Sequence, residues 1–260
     1  VAATVNDECN DDNIYTLEVM PETTGDVDSF NPDTASYAWT GPDGFLSTDQ
    51  NQSITNVTTA ATGIYSVTVT INSCTSGAGT VNVVVNQTPA MPVAGSNTPV
   101  CSVSTLNLTA STTTPGAMSW SWTGPNGFNS ISQNASIPNI TLAANGTYNV
   151  VATATTGNCA SAPGSTVVVV NPTPVITTSS FTDPAQCTTP TGSITLNGLA
   201  ASTLYIVQYN YNGNPQSANL TSNAGGAVVI GNLAAGTYTN IRVLLTGCPS
   251  NAIASVTLTD

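Results

Sequence analysis

One nine-residue pattern constrains this chain more than anything else in it. Tyr37-Ala-Trp-Thr-Gly-Pro-Asp-Gly-Phe45 returns as Trp120-Ser-Trp-Thr-Gly-Pro-Asn-Gly-Phe128. Each copy runs through an apolar turn, Ile54-Thr-Asn-Val57 or Ile137-Pro-Asn-Ile140, into a corner, Ala61-Thr-Gly-Ile-Tyr65 or Ala144-Asn-Gly-Thr-Tyr148. The corner appears a third time, without the Trp motif, as Ala235-Gly-Thr-Tyr238. A cysteine follows the three tyrosines by 9, 11 and 10 residues. Self-similarity at a fixed period marks a chain built from repeated units, each one supersecondary assembly.

The unit can be read physically. The apolar segments are short and bounded by Gly, Pro and Asn, as in Tyr65–Ile71, Val81–Val85, Val167–Val170 and Tyr205–Tyr209, and none has a helical period. Thr, Ser and Asn supply the polar surface, and they favour strands and turns over helices. In each unit a first cysteine precedes a strand, the Trp strand supplies the large core side chain, and Gly-Pro-x-Gly reverses it. The Gly-x-Tyr corner resembles the tyrosine corner of immunoglobulin-like sandwiches, in which the hydroxyl bonds back to the backbone. The expected fold is therefore all-β: three tandem Ig-like antiparallel sandwiches over residues 1–88, 89–173 and 174–260, with Trp39, Trp122, Tyr65, Tyr148 and Tyr238 in the cores. Proline-marked linkers, Asn86-Gln-Thr-Pro-Ala-Met-Pro92 and Asn171-Pro-Thr-Pro174, are extended and semi-rigid, which predicts a stiff rod.

The six cysteines fall into three separated pairs, Cys9 and Cys74, Cys101 and Cys159, Cys187 and Cys248. With no CxxC and no His to complete a zinc site, a metal cluster is disfavoured. Pairing within each unit is the economical expectation, with six buried free thiols as the alternative, and a cross-unit bond would argue against the three-unit division. Bridges imply an oxidising compartment, and each would close a loop of about 60 residues, worth on the order of 4 kcal/mol.

Charge excludes several functions. The net charge is −12, Arg242 is the lone basic side chain and there is no His. Neither nucleic acid nor an anionic membrane surface can be held without a basic patch. No apolar run approaches the length of a spanning helix, and no leader is visible at Val1, so the chain reads as a mature or internal piece of something longer. Triads and His-based acid–base catalysis lack their residues. A glycosidase-type carboxylate pair could sit only in the first unit, because every acid but Asp183 and Asp260 precedes residue 50. The expectation is a non-enzyme.

The Trp-x-Gly-Pro-x-Gly-Phe turn, the Gly-x-Tyr corner and the trailing cysteine resemble the tandem Ig-like and PKD-like repeats of very large Bacteroidetes surface proteins. The third unit is similar to repeats of the gliding-motility adhesin SprB, on Cys187-Thr-Thr-Pro-Thr-Gly-Ser-Ile-Thr-Leu196, Gly198-Leu199, Ala235-Gly-Thr-Tyr238 and Gly247-Cys248. The resemblance implies type IX secretion, display on the bacterial cell surface, and service as adhesin, stalk or filament beside neighbouring repeats of one long chain. The alternative is an array of carbohydrate-binding accessory domains attached to a secreted enzyme.

Four smaller features complete the reading. Asp7, Asp11, Asp12, Asp26 and Asp28 crowd oxygen ligands that could hold a structural calcium or simply form an acidic solvated loop; no other cofactor is implied. Asp33-Thr34-Ala35 resembles the Asp-Thr-Ala acceptor for O-glycosylation in Bacteroidetes, with Thr34 carrying the sugar. Trp120 and Trp122 share one strand face, as do Tyr205, Tyr209 and Tyr211 beside an Asn212-Gly213 turn, and each set is either core or a platform for surface glycans. Residues 90–174 carry no charge, which invites lateral self-association, while the acidic first unit and Arg242 suggest head-to-tail filaments.

Overall fold

The computed structural model describes residues 2–4, 8–9, 14–20, 35–186 and 189–260. Among these the regular structure is strand, with helix confined to single 3-10 turns such as Pro42–Gly44 and Pro125–Gly127. The sheets are antiparallel save for two short parallel pairings.

The middle of the chain shows the plan. One sheet orders Val93–Ser96, Leu106–Ser111 and Ala135–Ile137; the facing sheet orders Phe128–Ser130, Met118–Gly124, Gly146–Ala154 and Gly164–Val168. Period-two alternation makes the inner faces: Leu106, Leu108 and Ala110 from one sheet meet Trp122, Tyr148 and Val150 from the other. Val100–Cys101 then pairs in parallel with Val170–Asn171, so the first cysteine lies beside the last strand.

The same arrangement is found on either side. Leu17, Trp39, Tyr65, Val67 and Val83 form one separate core cluster, and Ile194, Leu196, Tyr205, Val207, Tyr238 and Ile241 form another. Val85–Asn86 pairs in parallel with Glu8–Cys9 as Val170–Asn171 does with Val100–Cys101. All five core aromatics named from the sequence are buried, Trp122 and Tyr148 completely.

The uneven Tyr-to-Cys spacings now have a cause. In the first unit Ile71 pairs with Cys74 across a two-residue turn. In the second, Ala154 accepts no such short turn: its N–H bonds the Cys159 carbonyl around a four-residue loop, adding two residues. In the third, the two-residue turn returns, with Leu245 opposite Cys248. The one additional residue is a β-bulge, where the register slips between Gln208 and Asn210 and Asn240 takes φ 52°.

Candidate functional site

The site has two parts, a corner that fixes each sandwich and a joint that fixes one sandwich to the next. In the corner, Tyr65, Tyr148 and Tyr238 each donate the phenolic O–H to a carbonyl four residues back, Ala61 at 3.1 Å, Ala144 at 3.1 Å and Ala234 at 2.8 Å. The Trp motif is shaped around this ring. Gly41 and Gly124 leave no room for a Cβ against Tyr65 and Tyr148, which explains the first glycine of Gly-Pro-x-Gly. Asp43 and Gly44 (φ 55° and 74°), like Asn126 and Gly127 (57° and 72°), make the left-handed reversal. It brings Phe45 and Phe128 edge-on to the corner rings at 5.3 and 5.5 Å. The indoles of Trp39 and Trp122 donate to the carbonyls of Asp49 and Gln133. Burial raises the Tyr65 and Tyr148 hydroxyls above the usual phenol range; Asp43 adds to the effect at Tyr65. Tyr238 is pushed up to about 12, first by burial and then by neighbouring Tyr211 and Tyr209.

The joint overturns the expected cysteine pairing. Cys101 is bonded to Cys248, 147 residues away, with Cα atoms 5.5 Å apart. Neither Cys101–Cys159 nor Cys187–Cys248 can then exist, and Cys74 is a free, exposed thiol, which removes Cys9–Cys74. Topology supplies the reason. Cys101 lies beside Asn171, near the Gly146 start of the long corner strand, whereas Cys159 follows the far end of that strand. Nine strand residues rise roughly 30 Å, and a disulfide needs Cα atoms within about 7 Å. Cys101 and Cys159 therefore sit at opposite ends of their sandwich. The bond crosses the unit boundary, the outcome expected to tell against a three-unit division. Yet the described residues still form three separate hydrophobic clusters, so cysteine pairing turns out to be no test of the division.

A polar contact accompanies the bond. Asn171, the register partner of Cys101, donates its side-chain amide to the Thr246 carbonyl at 3.1 Å, in the turn that presents Cys248. At the preceding boundary Asn86, the register partner of Cys9, lies against Gly157 in the loop that presents Cys159. Cys159 is itself disulfide-bonded. The sequence reading missed both asparagines, although each opens a proline-marked linker and so announced itself by position. It also missed Cys74-Thr-Ser76, Cys159-Ala-Ser161 and Cys248-Pro-Ser250, whose serines fasten the hairpins from within.

The remaining candidates divide. Asp7, Asp11, Asp12, Asp26, Asp28 and Thr34 lie outside the described residues, as does Cys187. Trp120 is half-buried against the core that encloses Trp122. Tyr205 is buried, its hydroxyl accepting from the Ala200 N–H at 3.0 Å, while Tyr209 and Tyr211 pack on Tyr238 at 5.8 and 4.9 Å. The tyrosines therefore mostly fill core. One rim of Tyr209 lines a hollow of about 590 Å³ with Gln216, Asn240 and Arg242. Arg242 donates to Gln208 at 3.1 Å there.

No family model matches the chain, and no curated protein matches its sequence. Solved structures resemble its fold. A marsupial T cell receptor is similar at TM-score 0.48 and 12% identity, covering 99% of this chain and 100% of that one. The three N-terminal domains of the bacteriophage RB49 highly immunogenic outer capsid protein give 0.32 and 14%, covering 99% and 96%. Sidekick-1 immunoglobulin domains 1–5 give 0.36 and 15%, covering 100% of this chain and 57% of that one. The facing antiparallel sheets and the tyrosine corners define the class: a tandem array of Ig-like β-sandwiches. No described helix is long and apolar enough to cross a membrane.

Proposed function

We propose that the chain is the structural and adhesive repeat region of a secreted cell-surface protein, built so that tension along the array cannot separate or unravel its units. The observation that carries this reading is the Cys101–Cys248 bond, which ties the start of one sandwich to the end of the next. The same joint at the earlier boundary would be Cys9–Cys159, as the Asn86–Gly157 contact and the bonded state of Cys159 support. The proposed units are residues 1–88, 89–173 and 174–260. Disulfides persist in oxidising surroundings, and the resemblance of the repeats to surface arrays supports a bacterial cell surface reached by type IX secretion. The partners are neighbouring repeats, further copies and surface glycans, with no catalytic step.

The mechanical logic is simple. A pull on the chain ends passes through the disulfide and bypasses the 147 residues of separation it encloses. At about 3.4 Å per extended residue, that hides on the order of 500 Å of chain. Single-molecule pulling tests it. Reduced protein should yield at least roughly 500 Å more contour length than oxidised protein; equal lengths in the two states would overturn the reading.

A further inference from the structure

The lone basic side chain of the protein stands on a sheet face that the other two units leave plain. Counting from the corner tyrosines and passing over the bulged Asn240, Thr68, Val151 and Arg242 occupy one equivalent place on the long strand. Each pairs with a residue of the adjoining strand, Ala38, Ser121 and Gln208 respectively. Val207 and Val243, next in register to Gln208 and Arg242, are fully buried, so alternation turns Gln208 and Arg242 outward. Small neutral or apolar pairs in two units thus become an amide and a guanidinium in the third.

Two further differences shape the ground around that pair. The strand Asn214–Thr221 runs along Leu204–Tyr211 for all eight residues, which sets Ser217 in one row with Gln208 and Arg242, and Pro215 beside Asn210. The matching strands of the other units stop short, Phe128–Ser130 opposite Trp122 and Leu46–Ser47 opposite Trp39. The second difference is the bulge. A bulge bends its strand and re-aims the extra side chain, here Asn240 at φ 52°. Gln208, Asn210, Pro215, Ser217, Asn240 and Arg242 all line the resulting hollow of about 590 Å³.

The chemistry of the lining is specific. Arg242 is anchored through Nε, which donates to Gln208 Oε1 at 3.1 Å, and no described residue accepts from its two Nη groups. The acids of residues 174–260 are only Asp183 and Asp260, and Asp183 is engaged by the Thr259 N–H at 2.8 Å. The Nη end of the guanidinium is a planar fork that matches a carboxylate with two parallel bonds. Around it, the amides of Gln208, Asn210 and Asn240 and the hydroxyl of Ser217 each both donate and accept. Vicinal hydroxyls ask for that combination, and the Pro215 ring offers an apolar surface to the C–H face of a sugar. With a single cation in a chain of net charge −12, the ligand carries one charge; a polyanion is repelled.

We propose that this hollow binds a sugar residue bearing one carboxylate, of the uronic or sialic acid type. Its carboxylate sits on the Arg242 Nη groups and its hydroxyls on the surrounding amides. This rests on the adhesive reading and deepens it by naming the class of ligand. An acidic peptide suits the hollow less well. Extended peptides are held chiefly by main-chain bonds to a free sheet edge, whereas Gln208 and Arg242 lie on strands paired on both sides.

The test is calorimetric titration of the purified 260-residue chain. The acidic probes are the methyl glycosides of glucuronic acid and N-acetylneuraminic acid, with methyl glucoside as the neutral probe and a blocked aspartyl peptide beside them. At least one acidic sugar should bind at least about tenfold more tightly than methyl glucoside, the worth of a charge-assisted bond. Arg242→Gln should remove that preference, and Arg242→Lys, which keeps the charge but loses the fork, should retain part of it. Arg242 is exposed, so both variants should melt at the wild-type temperature. No binding of either acidic sugar, equal affinity for the neutral one, a preference that survives Arg242→Gln, or tighter binding of the peptide would each overturn the proposal. Contour length under tension involves no ligand, so the stapled-array reading and this one fail separately.

Discussion

The second and third sandwiches share a corner and a cysteine hairpin and differ in what lies between them. In the second, Trp122 stands opposite Val150, two residues past the corner tyrosine, and fills the space between the sheets. In the third, that place on the long strand is Asn240, which the bulge turns out of the ladder, and Ile241 and Val243 supply the inward side chains. Tyr209 and Tyr211 close over Tyr238 where the second unit uses one indole and Phe128. The corner and the hairpin are thus the fixed parts, since they set the two ends that meet a neighbour. The filling is interchangeable provided its volume closes the gap.

The largest effect should come from removing the indole. Trp122→Ala is expected to destabilise the second sandwich by about 3–5 kcal/mol, as losing a buried aromatic does, and Trp39→Ala should do the same in the first. Denaturant unfolding followed unit by unit checks it. If the third unit loses as much, the cores are energetically one and the comparison fails.

Alkaline pH should separate the units in the opposite sense. The Tyr238 hydroxyl is held near 12 against 10.0 for a free phenol. Between those values the unfolded chain releases a proton that the folded chain keeps, so stability falls with rising pH. This contribution is complete below about pH 10 and is lost as pH climbs through about 12. Phenolate absorbance during alkaline titration should show one tyrosine, removed by Tyr238→Phe, ionising last. An ordinary titration midpoint for Tyr238 would mean that the trio is open to water.

The smallest effect tests what the corners have in common. Tyr148→Phe and Tyr238→Phe keep the ring and delete only the bond to Ala144 or Ala234. Each should cost about 1 kcal/mol, the usual net worth of one such hydrogen bond. Similar losses in the two units would confirm the corner as shared, whereas a loss in one alone would make it ornamental in the other.

Much of the sandwich was legible because its determinants are local. Gly41 and Gly124 precede the proline because a tyrosine ring occupies the space a Cβ would take, and Asn or Asp with Gly marks the reversal. Alternation placed Trp39, Trp122 and the corner tyrosines inside. The tyrosine set of the third unit was legible as one face, and its Asn212-Gly213 turn was too, with Tyr211 opposite Asn214. The bulge at Asn240 was not, since the sequence shows only that the third spacing is one longer than the first.

The cysteines mark the boundary between the two kinds of knowledge. By itself the sequence determined that there are two kinds of cysteine per repeat, one ahead of a strand and one behind the corner, because strand periodicity and turn chemistry act over a few residues. Which cysteine meets which was decided only by the tertiary structure. A sandwich is as long as its strands, so Cys101 and Cys159 stand at opposite ends, while packing of the next unit brings Cys248 to within 5.5 Å of Cys101 between Cα atoms. Proximity along the chain and proximity in space part company where a strand runs the full length of a domain, and disulfides obey the second.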